Sequence, residues 1–226
     1  MSNVIFKSYI AALVILITLP IPVAAMSAIT CHCFKDRSYD AARPAAADPY
    51  FLATTQNSFF AIVFNVDKKN IMMKKQQGIS SDELWIAYWT ASNAGKLPET
   101  VLQARQDKKS WKEIISSLRL TTQGLGIRFY NALDAKSSDK LLAEAVVDEL
   151  FLRSHLLADK ELAAIRKAGA PNQELIIATV IAARTKQPAK QIYLDVKNGS
   201  RTWGSLLAWA NIDPKDIPRE ISAILK

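Results

Sequence analysis

The chain repeats itself. Gly78 through Ile115 reads GISSDELWIAYWTASNAGKLPETVLQARQDKKSWKEII, and about 91 residues later Gly169 through Leu207 reads GAPNQELIIATVIAARTKQPAKQIYLDVKNGSRTWGSLL. Gly78 matches Gly169, Glu83-Leu84 matches Glu174-Leu175, and Ala87 and Ala91 match Ala178 and Ala182. With two small register shifts, Pro98 meets Pro188 and Trp111 meets Trp203. A duplication is a strong constraint, because both copies must fold alike and neither is large enough to bury its apolar face alone.

Each copy reads as a series of short helices. In the first, Ser80 or Ser81 can cap a helix whose Leu84, Ala87, Tyr88 and Ala91 recur at i, i+3, i+4, i+7. Gly95 stops it, and Pro98 opens the next helix, where its missing N–H costs nothing. Ser110 caps a third, with Trp111, Ile114, Ile115 and Leu118 facing inward. The second copy repeats the plan with Leu175, Ala178 and Ala182, then Pro188 with Ile192, then Thr202 capping Trp203, Leu206 and Leu207.

The similarity extends upstream. Asp48-Pro49 opens an apolar helix through Phe64, and Asp67-Lys68 opens a shorter one before Gly78. Residues 138–157 and 159–168 take the same places before Gly169, and Asp213-Pro214 starts a last helix through Leu225. No stretch alternates with period two. The reading is an all-α fold of two tandem copies of a short-helix module packed into one helical body, with a core supplied by five Trp, eight Phe and six Tyr. The organisation expected is a leader over 1–25, an extended, loosely ordered segment over 26–47, repeat one over 48–120, a junction over 121–137, and repeat two over 138–226.

The pattern Glu-Leu…Ala…Lys-x-Pro…Val-Leu…Arg…Ser-Trp-x-x-Ile resembles a unit that recurs in uncharacterised, signal-bearing bacterial proteins. There the segment before the Trp is usually Gly-rich, as at Asn198-Gly199; the first copy departs from this with Lys108-Lys109. The resemblance implies an exported helical module and brings no activity with it.

The N-terminus agrees with export. Met1–Lys7 carries one positive charge, Tyr9–Leu19 is apolar, and Pro20, Pro22 and Val23-Ala24-Ala25 follow in the order of a secretory signal cleaved after Ala25. The apolar run is shorter than the roughly 20 residues of a membrane span, which argues against an uncleaved anchor. Ala28-Ile29-Thr30 before Cys31 makes a poor lipobox. The expected location is periplasmic or secreted, with no membrane span after cleavage. Removing the signal takes only Lys7 from a chain of net charge +8. On an exported protein such a charge suits solvated helix faces, an anionic envelope surface or an acidic protein partner, and not nucleic acid.

Cys31-His32-Cys33 places three potential metal ligands in three residues, in a compartment where thiols tend to be oxidised. Thiolate and imidazole suit copper(I) or zinc. In an extended chain, however, Cys31 and Cys33 point one way and His32 the other, so the tripeptide alone closes no site. A Cys31–Cys33 disulfide, or an intermolecular tether through either Cys, is the competing reading.

A second candidate is a surface on which Lys68, Lys69, Lys74 and Lys75 bracket Ile71-Met72-Met73, suited to an anionic membrane or an acidic partner. Lys160, Arg166 and Lys167 form a weaker version in the second copy. Catalytic patterns do not emerge. The sequence holds no G-x-S-x-G, no H-E-x-x-H and no Gly-rich phosphate loop, and His155 reads as one residue of an amphipathic helix. The expectation is a non-enzymatic exported envelope protein, a binding or scaffold module without a cofactor. The alternative is a small metal-binding or thiol-redox protein using Cys31-His32-Cys33.

Overall fold

The computed structural model describes residues 34–226, and the described residues are helical without strands. The helices are α1 (Asp48–Val63), α2 (Lys68–Gln76), α3 (Ser81–Ala94), α4 (Pro98–Gln106), α5 (Trp111–Ser117), α6 (Thr122–Leu125) and α7 (Ile127–Asp134). They continue as α8 (Asp139–Arg153), α9 (Asp159–Lys167), α10 (Asn172–Thr185), α11 (Ala189–Lys197), α12 (Trp203–Trp209) and α13 (Ile217–Ile224), the last preceded by a 3-10 turn at Pro214–Asp216. From α1 to α5 the lengths are 16, 9, 14, 9 and 7 residues; from α8 to α12 they are 15, 9, 14, 9 and 7.

Local chemistry sets the boundaries. The hydroxyl of Ser80 accepts from the Glu83 N–H, Ser110 and Glu113 form a reciprocal capping box, and Thr202 and Ser205 form another. Most helices end with a residue at positive φ and a bond from the next N–H back to the carbonyl five residues earlier, as from Val66 to Ala61, Leu120 to Ile115 and Leu156 to Phe151. His155 occupies one of these turns at φ 52° and is exposed. The helical periodicity running through Leu157 therefore stops at Arg153, because the chain must reverse there to start α9.

The long helices pack across the chain's two halves. Helix α1 packs on α10, α12 and α13, and α8 packs on α3 and α7. Both α3 and α10 lie at the centre. Every residue from Leu84 to Ala91 is buried, as is every residue from Leu175 to Ile181, so these helices are enclosed all round rather than along one stripe. Phe59 of α1 meets Phe151 of α8 with ring centroids 5.5 Å apart, and Phe60 sits 4.6 Å from Trp85. One contiguous cluster of buried side chains draws on both halves.

Two segments carry more structure than the junction and the extended segment expected of them. Residues 121–137, expected as a junction, contain α6 and α7, and α7 buries Phe129 and Leu133 against α8. Residues 34–47 form a run of turns pinned to the body, with Ala47 buried and Phe34 packed edge-on against Tyr50 at 5.9 Å. This segment forms a strap across α1 and α12. Among the described residues, no helix is long and apolar enough to cross a membrane.

Candidate functional site

The strap is held by α12. Asp48, the first residue of α1, accepts from the backbone N–H of Trp203 at 3.0 Å and of Gly204 at 2.8 Å. One carboxylate thus satisfies two donors that the first turn of α12 leaves without helical partners. The Thr202 hydroxyl donates to the Pro44 carbonyl at 3.0 Å. A Cβ on Gly204 would lie 2.8 Å from Tyr39, 3.0 Å from Phe51 and 3.3 Å from the Pro44 carbonyl oxygen, so only glycine lets the strap seat. Burial pushes the Asp48 carboxyl above its ordinary value, opposed by the two backbone bonds. Beside this contact, Tyr39, Tyr50, Phe51, Leu207 and Ile212 help to line a cleft of about 340 Å³.

Asp139, the first residue of α8, works differently. It accepts from the indole N–H of Trp111 at 3.0 Å and from the Arg105 guanidinium at 3.1 Å, and that guanidinium stacks on the Trp111 ring at 4.6 Å. Further along α8, Asp148 and Glu149 are buried acids. Asp148 pairs with Arg166 at 2.8 Å and Arg128 at 3.6 Å; Glu149 accepts from the Arg128 backbone N–H at 2.8 Å, at the start of α7. Arg128 also pairs with Asp159. Burial pushes the Asp148 carboxyl up, against the pull of Arg166 and Arg128. Arg166, expected on a basic surface, is instead mostly buried and also donates to the carbonyl of Ala170 at 2.8 Å.

The four lysines expected to form a surface are divided. Lys68 donates to the Ser58 hydroxyl at 3.1 Å, and its burial holds the ammonium below the usual lysine range. Lys74 pairs with Glu99 at 2.7 Å, and Lys75 donates to Asn57 at 2.7 Å. Lys69 is exposed. Ile71 is fully buried while Met73 is exposed, so α2 keeps its apolar centre in the core. Three of the four cations thus join helices of the body to one another.

Cys31, His32 and Cys33, together with the leader over 1–25, lie outside the described residues. The tripeptide directly precedes Phe34, the first residue of the strap described here. Among the described residues, no group of three or more His, Cys, Asp or Glu side chains gathers to hold a metal.

Sequence reading missed one surface. Trp209, at the end of α12, is 47% exposed and carries the Arg201 guanidinium 4.8 Å from its ring. These two residues line a cleft of about 140 Å³ with Gln187, Gln191, Ile192 and Asp195 of the α10–α11 region. The available signal was an asymmetry between halves, since α5 ends in Ser117 where α12 ends in Trp209. Compared with family models, curated proteins and solved structures, the chain matches none.

Proposed function

We propose that this chain is a tandem duplication of one helical module, exported to the cell envelope after cleavage behind Ala25, and that it serves as a non-enzymatic binding or scaffold protein. Two sets of helices with the same order and nearly the same lengths support the duplication. So does the reciprocal packing of α1 on α10 and of α8 on α3. The observation that carries the functional reading is what four of the buried and half-buried acids do. Asp48, Asp139, Asp148 and Glu149 each tie one helix to another through caps or ion pairs. These four acids serve the body's own architecture, which suits the presentation of surfaces better than acid/base chemistry; Asp82, Glu83 and Glu174 are half-buried as well, and burial pushes each of their carboxyls up. The strap then fixes the chain immediately after Cys31-His32-Cys33, as an attachment through a disulfide or thiol tether would require.

Fractionation of the native host with N-terminal sequencing and intact mass, without added reductant, tests this reading. A chain starting at Met26 in the envelope fraction supports it. A two-hydrogen mass deficit removed by reductant assigns an internal Cys31–Cys33 disulfide, and a mass that halves on reduction assigns an intermolecular tether. A chain with residue 1 intact in the cytosol overturns the export reading. Stoichiometric copper or zinc, lost in the Cys31→Ser/Cys33→Ser variant, replaces the scaffold with a metal-handling protein.

A further inference from the structure

We propose that the cleft between α11 and α12 is a saccharide-binding site, with Trp209 as its stacking platform. The proposal rests on the binding-module reading and adds a ligand class to it.

An indole offers an apolar face with a negative centre, and the polarised C–H face of a sugar ring is its natural complement. Most tryptophans of this chain serve the core: Trp85, Trp89, Trp111 and Trp203 are all buried. Trp209 is the exception, with close to half of its surface open at the rim of a cleft. The Arg201 guanidinium lies over one face of the ring, 4.8 Å from its centroid, so a sugar would stack on the other. The backbone of Arg201 is fixed in turn, its N–H donating to the Asp195 carbonyl at 3.1 Å.

The polar groups around this platform suit hydroxyls. Gln187 and Gln191 each offer an acceptor and two donors, Asp195 accepts, and Arg201 donates. Gln191 donates to the Asp195 carboxylate at 2.7 Å, which orients both side chains along one face of α11. A sugar hydroxyl both donates and accepts, so a mixed set of this kind can match a pair of neighbouring hydroxyls. The lining holds one acid and one base, and an anionic ligand would call for an excess of cations. A neutral sugar fits this balance.

The halves of the chain differ at these positions. Pro188 precedes α11 whereas Pro98 opens α4, and the buried pairs Ile192-Tyr193 and Val101-Leu102 set the structural register; in it Gln191 and Asp195 of α11 stand where α4 has Thr100 and Ala104. Two residues before the tryptophan that opens α12 stands Arg201; two before the one that opens α5 stands Lys109. Ile192, buried like Val101 in α4, keeps its character, and Lys109 keeps the positive charge of Arg201 without an exposed tryptophan at the end of the helix it precedes. The architecture is the same in both halves without the constellation, so holding the fold together does not account for it.

The test is a titration of the isotope-labelled protein, purified from its host, with the neutral tetrasaccharides chitotetraose, cellotetraose, maltotetraose and mannotetraose. The readout is the indole N–H resonance of Trp209, assigned by its disappearance in Trp209→Phe. The expected result is a saturable shift of that resonance with at least one tetrasaccharide at millimolar concentration or below. Affinity, read in wild type and variants alike from the backbone amide resonances of α11 and α12, should fall at least tenfold in Trp209→Ala and severalfold in Asp195→Asn, while the four buried indole signals keep their wild-type positions as evidence of folding. No shift with any of the four sugars overturns the proposal, as does a shift whose affinity is unchanged in Trp209→Ala. A response to benzoate alone also overturns it, because the site would then read aromatic anions. Fractionation and mass judge the export and scaffold reading separately, so either can fail without the other.

Discussion

Asp48 holds the start of α12 from 155 and 156 residues away in sequence, its carboxylate accepting from the backbone N–H of Trp203 and, at 2.8 Å, of Gly204. A cap normally comes from the residue preceding its own helix. Here Thr202 supplies that local cap, and Asp48 adds a second one across the body, joining the first helix to the last third of the chain. Asp48→Ala should cost about 1–2 kcal/mol of stability, the usual cost of a lost cap, and Asp48→Asn should cost less. Urea unfolding at neutral pH measures both.

The same contact makes a separate demand on Gly204. Gly204→Ala should cost about 1–3 kcal/mol through overpacking, because Phe51 and the Pro44 carbonyl cannot both retreat. The loss should be local first. Amide exchange over residues 40–47 should rise well before exchange in α3 or α10, a difference that mass spectrometry of exchanged peptides resolves.

Phe59 and Phe151 join α1 to α8 at the centre of the core. Phe59→Leu and Phe151→Leu should each cost about 1–2 kcal/mol. The double variant should depart from the sum by about 0.5–1.5 kcal/mol, the coupling of an aromatic pair. A double-mutant cycle by chemical denaturation gives the value, and an additive result would mean that the two halves meet only loosely there.

Glu99 provides a pH test of the α2–α4 contact. The hydrogen bond from Lys74 is the first cause that holds its carboxyl below the ordinary 4.5. A folded value below the unfolded one gives stability that is present above the ordinary value and lost as pH falls through the folded value. The Glu99 side chain is 60% exposed, so the contribution is small, about 0.5 kcal/mol. Glu99→Gln should therefore be slightly less stable than the parent at about pH 7 and indistinguishable from it at about pH 3, as read by denaturant midpoints.

The sequence carried much of this architecture in its caps and stops. Ser80, Ser110 and Thr202 cap the helices expected of them, Asp67 caps the helix it was expected to open, Gly95 ends α3 in the left-handed region, and Pro98 begins α4. These signals are local, and the structure keeps them. Burial on all sides was less legible. Leu84, Ala87, Tyr88 and Ala91 read as one inward stripe, but Trp85, Ile86, Trp89 and Thr90 are buried too, because α8 covers α3 from the other half. Helix α7 lay inside the stretch 121–137 read as a junction, where Gly124 and Gly126 interrupt the helical pattern. Gly126 serves a more specific purpose, since a Cβ there would overlap the Glu149 carboxyl group. The roles of Lys68, Lys74 and Lys75 escaped for the same reason: their partners Ser58, Glu99 and Asn57 are 10, 25 and 18 residues away, and no local spacing announces them.

Two sets of helices of like order and length interlock into one body, with α1 on α10 and α8 on α3. Native-state hydrogen exchange with increasing denaturant tests it most directly. The account predicts that the slowest amides of α1, α3, α8 and α10 open with one common free energy and a common denaturant dependence, and that Phe59→Leu lowers all four equally. Exchange that releases α1 and α3 together while α8 and α10 stay protected would contradict it, and would show two units that fold separately along the chain.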